Sequence, residues 1–89
     1  MIEKKVFIIN KLGLHARAAA KLVTLASAFQ AKIELKSKCK MANGKSIMSV
    51  MMLAAGKGSE ITLLIDGSDE NQALAALEEL IKQRFDEAE

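Results

Sequence analysis

AKIELKSKCKMANGKSIMSVMMLAAGKGSEITLLIDG, residues 31–67, switches its hydrophobic period twice, and those switches set the fold class. Over 31–38, Ile33 and Leu35 alternate with Lys32, Glu34 and Lys36, the signature of a strand buried on one face. A short strand over 40–42 follows, and Asn43-Gly44 marks a turn. Ser46 then stands directly before the apolar run 47–53, which has the length of a short helix and is expected to stop at Gly56. Gly56-Lys57-Gly58 lacks the spacing of a Walker motif and reads as a helix stop plus turn. Alternation returns over 60–66, where Ile61, Leu63 and Ile65 share one face, and Gly67 ends that strand.

Outward from this block, residues 4–9 are rich in β-branched and aromatic side chains and form a first strand. Residues 15–29 carry Ala19, Leu22, Val23, Ala26 and Phe29 at spacings of three and four, as an amphipathic helix does. Gly13 permits a tight approach to that helix. The C-terminal segment places Leu74, Leu77, Leu80 and Ile81 on one stripe, with Asp69 as the expected N-cap and Gln72 as its reciprocal partner. The order strand, helix, strand, strand, helix, strand, helix predicts an α+β sandwich: a four-stranded antiparallel sheet with three helices on one face.

The chain has 89 residues, enough for one domain, 1–89, and one core. Its longest apolar run, 50–55, is far too short to span a membrane, and residues 6–9 are too short for a signal-peptide core, so a cytoplasmic protein is expected. A single cysteine, Cys39, and a single histidine, His15, leave neither an internal disulfide nor a Cys/His zinc site. Cys39 has no basic-helix setting to activate it and reads as inert. The net charge of +2 conceals an asymmetry: residues 1–58 hold eleven Lys/Arg against two acids, and residues 59–89 hold nine acids against Lys82 and Arg84. A basic face for acidic partners follows from the first half. Nucleic acid is not expected, because the aromatics are limited to Phe7, Phe29 and Phe85 and no recognition motif appears.

Two residues stand where an anion is favoured. His15 opens the first helix in Leu12-Gly13-Leu14-His15-Ala16-Arg17. A helix start offers unpaired N–H groups and the positive end of the macrodipole, and Arg17 adds a permanently charged fork, so these parts suit a transient phosphohistidine. A lone histidine at a helix start is also, by default, a surface or capping residue. No paired carboxylate or Ser/His/Asp set accompanies it, which leaves self-contained hydrolysis without a mechanism. Ser46 caps the second helix by default; as a phosphoserine it would reverse the local charge at a helix start that tolerates anions. On that helix Ile47, Met48, Met51 and Met52 exceed what so short an element can bury, and Ile47 and Met48 are the expected members of an adaptable docking patch, although core packing is the commoner use of such residues.

Gly-Leu-His-Ala-Arg at 13–17, Lys-Ser-Ile-Met at 45–48 and Gly-Lys-Gly at 56–58 together resemble the HPr family, the histidine-containing phosphocarriers of the bacterial phosphoenolpyruvate-dependent phosphotransferase system. The resemblance covers essentially the whole chain. It implies an HPr-like open-faced β-sandwich (βαββαβα) and a role as a phosphoryl-transfer intermediate rather than a self-contained enzyme. His15 would receive phosphate on Nδ1 from phosphorylated enzyme I and pass it to enzyme IIA components, assisted by Arg17. Ser46 would be the regulatory site of an HPr kinase/phosphorylase. Ile47, Met48 and Met51 would contribute to partner binding, with Lys21 and Lys45 steering acidic partners. No cofactor and no metal are implied, and a monomer is expected of a carrier that exposes one face to several partners. The alternative within the family is the nitrogen-related phosphocarrier, and the Lys45-Ser46-Ile47-Met48 run favours the sugar-type carrier. Many relatives continue the first motif with proline where this chain has Ala18; early in a helix that exchange preserves the geometry.

Overall fold

The computed structural model describes residues 1–87. Its elements run β1 (Ile2–Phe7), α1 (Ala16–Ala26), β2 (Lys32–Ser37), β3 (Lys40–Asn43), α2 (Ile47–Met52), β4 (Glu60–Asp66) and α3 (Glu70–Lys82), with a three-residue turn at Arg84–Asp86. The four strands form one antiparallel sheet in the order β1-β4-β2-β3. The alternation read from the sequence decides which face is covered. Ile33, Leu35, Ile61, Leu63 and Ile65 are buried under the helices, joined by Leu22, Val50, Leu77 and Phe85 in one hydrophobic cluster. The other face shows Lys32, Lys36 and Glu60 to solvent, so the sandwich is open-faced as expected.

Several boundaries move for identifiable reasons. β1 lies two residues earlier than expected, because its register against β4 runs from Ile2 opposite Ile65 to Phe7 opposite Glu60. Ile8 is still held beyond the strand end, accepting from Gly58 N at 2.7 Å and donating to Ser59 O at 3.0 Å. α1 ends at Ala26, and Phe29 packs half-buried from the loop beyond it. α2 stops at Met52, with left-handed Ala54 (φ 53°) breaking it before Gly56 is reached. In α3 the fully buried positions are Ala73, Leu77 and Ile81, with Leu74 and Leu80 packed at the margin.

The expected Asp69/Gln72 capping pair does not form. Asp69 has φ −107° and ψ 26°, outside the extended geometry of a side-chain N-cap, and makes no capping bond. Its carboxylate instead accepts the backbone amides of Gln30 (2.8 Å) and Ala31 (2.9 Å), tying the α1–β2 loop to the start of α3. Glu70 takes the local role by accepting Gly67 N at 3.1 Å. The hydrogen bond donated by the Gln30 backbone N–H, above all, holds the Asp69 carboxyl below its ordinary range. A depressed carboxyl contributes stability that is complete above its unfolded value and is lost as pH falls through the folded one. Asp69→Ala is therefore expected to lower Tm by several degrees at pH 7, with the difference from the parent shrinking in strong acid. Paired thermal melts across that range check the sign.

Candidate functional site

Residues 8–15 reach α1 through a loop whose shape is fixed by contact with the segment after α2. Gly13 has φ +68°, and a Cβ there would lie 2.4 Å from the Ala55 carbonyl oxygen. Leu14 N donates to the same oxygen at 2.9 Å, and Gly13 N to Asn10 O at 3.2 Å. Only glycine allows both the left-handed turn and the close approach. The loop thereby delivers His15 to the N-cap position of α1.

His15 has extended backbone (φ −77°, ψ 178°), and its side chain makes no capping bond. Its carbonyl accepts Ala19 N at 2.8 Å, the first bond of the helix, so the amides of Ala16, Arg17 and Ala18 have no intrahelical partner. These N–H groups and the helix dipole make the space before α1 favourable to an anion. The His15 side chain is 27% exposed, accessible yet held. Arg17 is exposed one residue into the helix, and Ala18 is fully buried beneath it.

The ring's hold comes from the far end of the chain. His15 Nε2 contacts the Glu87 carboxylate, whose side chain is only 13% exposed. The other Glu87 oxygen accepts Asn10 Nδ2 at 2.9 Å, and the same amide nitrogen donates to Gly13 O at 2.9 Å. The Glu87 carboxyl is held below the usual range, first by the Asn10 hydrogen bond, then by the bond to His15 and the nearby charge of Arg17. Neither Asn10 nor Glu87 was among the expected site residues. They stand 77 positions apart, and no local spacing links them.

Lys21 and Lys45 do not project as free charges. Lys21 Nζ donates to Phe85 O at 2.8 Å and lies 3.7 Å from Asp86, while Lys45 Nζ donates to Phe29 O at 2.7 Å. The separation of charge between the two halves of the sequence is also reduced in the fold. Asp86 and Glu87 fold back onto the basic half, beside Lys21 and His15.

Ser46 caps α2, accepting Ser49 N at 3.3 Å. With six residues α2 rises about 9 Å, so Ser46 stands at its far end from the Ala55 contact that anchors the His15 loop. Between them α2 buries Val50 and leaves Ile47, Met48, Met51 and Met52 exposed, Met48 and Met52 by about 70%. Leu12, on the His15 loop, is exposed as well. Cys39 is an exposed free thiol in the β2–β3 hairpin. Among the described residues no His/Cys/Asp/Glu cluster could hold a metal ion, and no helix is long and apolar enough to cross a membrane.

Comparison with known proteins gives the family. The pattern described as the PTS HPr component phosphorylation site matches residues 2–83. The chain is 52% identical to the phosphocarrier protein HPr of Xylella fastidiosa (strain 9a5c) over 87 residues, covering 98% of each. Against the phosphocarrier protein HPr of Cupriavidus necator it is 52% identical over 89 residues, covering 100% of both. The crystal structure of HPr-C-His from Thermoanaerobacter tengcongensis superposes with a TM-score of 0.95 at 42% identity, again over 100% of both chains. With the family pattern, the full-length relatives and the fold in agreement, the chain belongs to the HPr family, the phosphocarriers of the phosphotransferase system.

Proposed function

We propose that the chain accepts a phosphoryl group on Nδ1 of His15 from phosphorylated enzyme I and passes it to enzyme IIA components of the sugar branch, acting as a cytoplasmic monomer. The observation that carries this reading is an accessible imidazole at the N-cap of an eleven-residue helix whose first amides lack helical partners, with Arg17 beside it. The amides and the guanidinium favour an anion on the ring. They are few, and Ala16 and Arg17 are exposed, which suits a phosphate that must also leave. The expected result is that the loaded protein, freed of enzyme I, transfers its label to a purified sugar-type IIA component; label retained on the carrier contradicts the assignment. Assays against sugar-type and nitrogen-type enzyme I separate the two branches, with the sugar-type donor expected to load faster.

The exposed apolar side chains of α2, with Leu12 beside the His15 loop, supply the docking surface in this reading, and Met side chains adapt to more than one partner. Lys21 and Lys45 contribute to its positive potential, although their ammonium groups are held by backbone carbonyls. Ser46 is the regulatory site for a kinase/phosphorylase of the HPr type. A phosphate there adds nearly two negative charges at the edge of that surface while the α2 dipole tolerates them. Ser46→Asp is accordingly expected to slow loading of His15 by enzyme I roughly tenfold at low salt, with the fold intact. Stopped loading kinetics at two ionic strengths measure this, and unchanged rates at low salt would sink it.

A further inference from the structure

The His15 ring has two nitrogens, and the fold commits one of them. Nε2 is met by a carboxylate oxygen of Glu87, and a carboxylate only accepts, so Nε2 must carry the proton of this bond. In the neutral ring, a hydrogen on Nε2 leaves the lone pair at Nδ1. Glu87 is itself seated: Asn10 donates to its second oxygen and to Gly13 O, so one amide joins the Glu87 tail to the loop that delivers His15. Reversing the Asn10 amide would turn its oxygen toward two acceptors, which fixes the orientation. In that orientation Asn10 Oδ1 is buried without a partner among the described residues, a disfavoured arrangement kept at the point where Glu87 is held.

We propose that Glu87, held by Asn10, is a positioning residue that keeps the proton on His15 Nε2 and so reserves Nδ1 for the phosphoryl group. The inference rests on the phosphoacceptor reading above. In the transfer, the bond from phosphorus to the donor breaks and its electron pair leaves with the donor. The Nδ1 lone pair forms the new P–N bond, and the Nε2 proton stays in place. The positive charge that then develops on the ring is met by the Glu87 carboxylate across that proton, with no proton gained or lost. The depressed Glu87 carboxyl keeps this acceptor ionised at neutral pH.

The test combines a spectroscopic and a kinetic readout on the full chain. In the unphosphorylated protein at neutral pH, the Nε2 proton of ¹⁵N-labelled His15 is expected to give a downfield signal protected from exchange with water. Glu87→Ala should abolish that signal and slow loading by enzyme I about tenfold, whereas Glu87→Gln, which retains an acceptor oxygen, should keep the signal and recover part of the rate. Glu87→Ala with the parental signal and the parental rate overturns the proposal. So does a slowed rate with an unchanged signal, which would leave Glu87 a merely structural role. The signal needs no enzyme I, so the Glu87 contact is decided even if His15 proves not to be loaded; that second result would count against the phosphoacceptor reading itself.

Discussion

His15→Ala is expected to abolish acceptance of phosphate from phosphoenolpyruvate plus enzyme I while leaving the fold intact. The loss is complete rather than graded because the chain has no second histidine, and no other side chain stands at the start of α1 with a ring nitrogen to offer. The amides of Ala16 to Ala18 and the Arg17 guanidinium bind and stabilise an anion, but none of them is a nucleophile. Structurally the substitution is mild. His15 is partly exposed, its side chain makes no capping bond, and the first helical bond runs from its backbone carbonyl, which alanine retains. Circular dichroism and the denaturation midpoint should stay near the parental values, and labelling should fall to background. Stoichiometric labelling of the variant would place the acceptor elsewhere, with Ser46 the first residue to examine.

Phe85→Ala should have the largest effect on stability and a second effect on the site. Phe85 is fully buried, within the same cluster as the sheet residues and α3. Truncating a buried phenylalanine costs about 3–5 kcal/mol, a large share of what a domain of this size has in reserve. The backbone there is also unusual: Arg84, Phe85 and Asp86 all have positive φ, 58°, 54° and 63°. Left-handed geometry costs non-glycine residues roughly 1–2 kcal/mol each, so it must be offset by what it achieves. It buries Phe85, brings its carbonyl to Lys21 Nζ and carries Glu87 to His15. Without the ring, the turn loses its chief support and Glu87 its seat. Chemical denaturation should show the loss, and loading of His15 should slow even under conditions where the variant remains folded. A variant destabilised by less than about 1 kcal/mol would contradict the anchoring role.

Much of the fold was legible because it rests on local period. Alternation over Ile33 to Leu35 and over Ile61 to Ile65 identified the strands and the face each buries, and the spacing of Ala19, Leu22, Val23 and Ala26 identified α1. Where the sequence misled, a tertiary partner had taken a residue away from its local role. Asp69 reads as a helix cap, but its carboxylate is spent on Gln30 and Ala31. Lys21 and Lys45 read as free surface charges, but each binds a backbone carbonyl.

The candidate site divides along the same line. His15, Arg17 and Ser46 were visible because helix starts leave local traces in sequence. Asn10 and Glu87 were not, because their contact depends on a turn near the chain's end folding back across the whole domain. The nearest thing to a signal was Phe85, an aromatic residue isolated in an acidic segment, which fits a tail pinned to the core better than a solvated one. The charge asymmetry was real in sequence, yet the fold softens it by bringing Asp86 to Lys21 and Glu87 to His15.

The central claim is that this chain carries phosphate on a histidine ring. It is tested most directly by incubating the parent protein with phosphoenolpyruvate and purified enzyme I and following the stability of the bound phosphate. The account predicts one phosphate per chain on the peptide containing His15, lost in acid and retained in alkali. An acid-stable product, or no incorporation by folded protein, would contradict it.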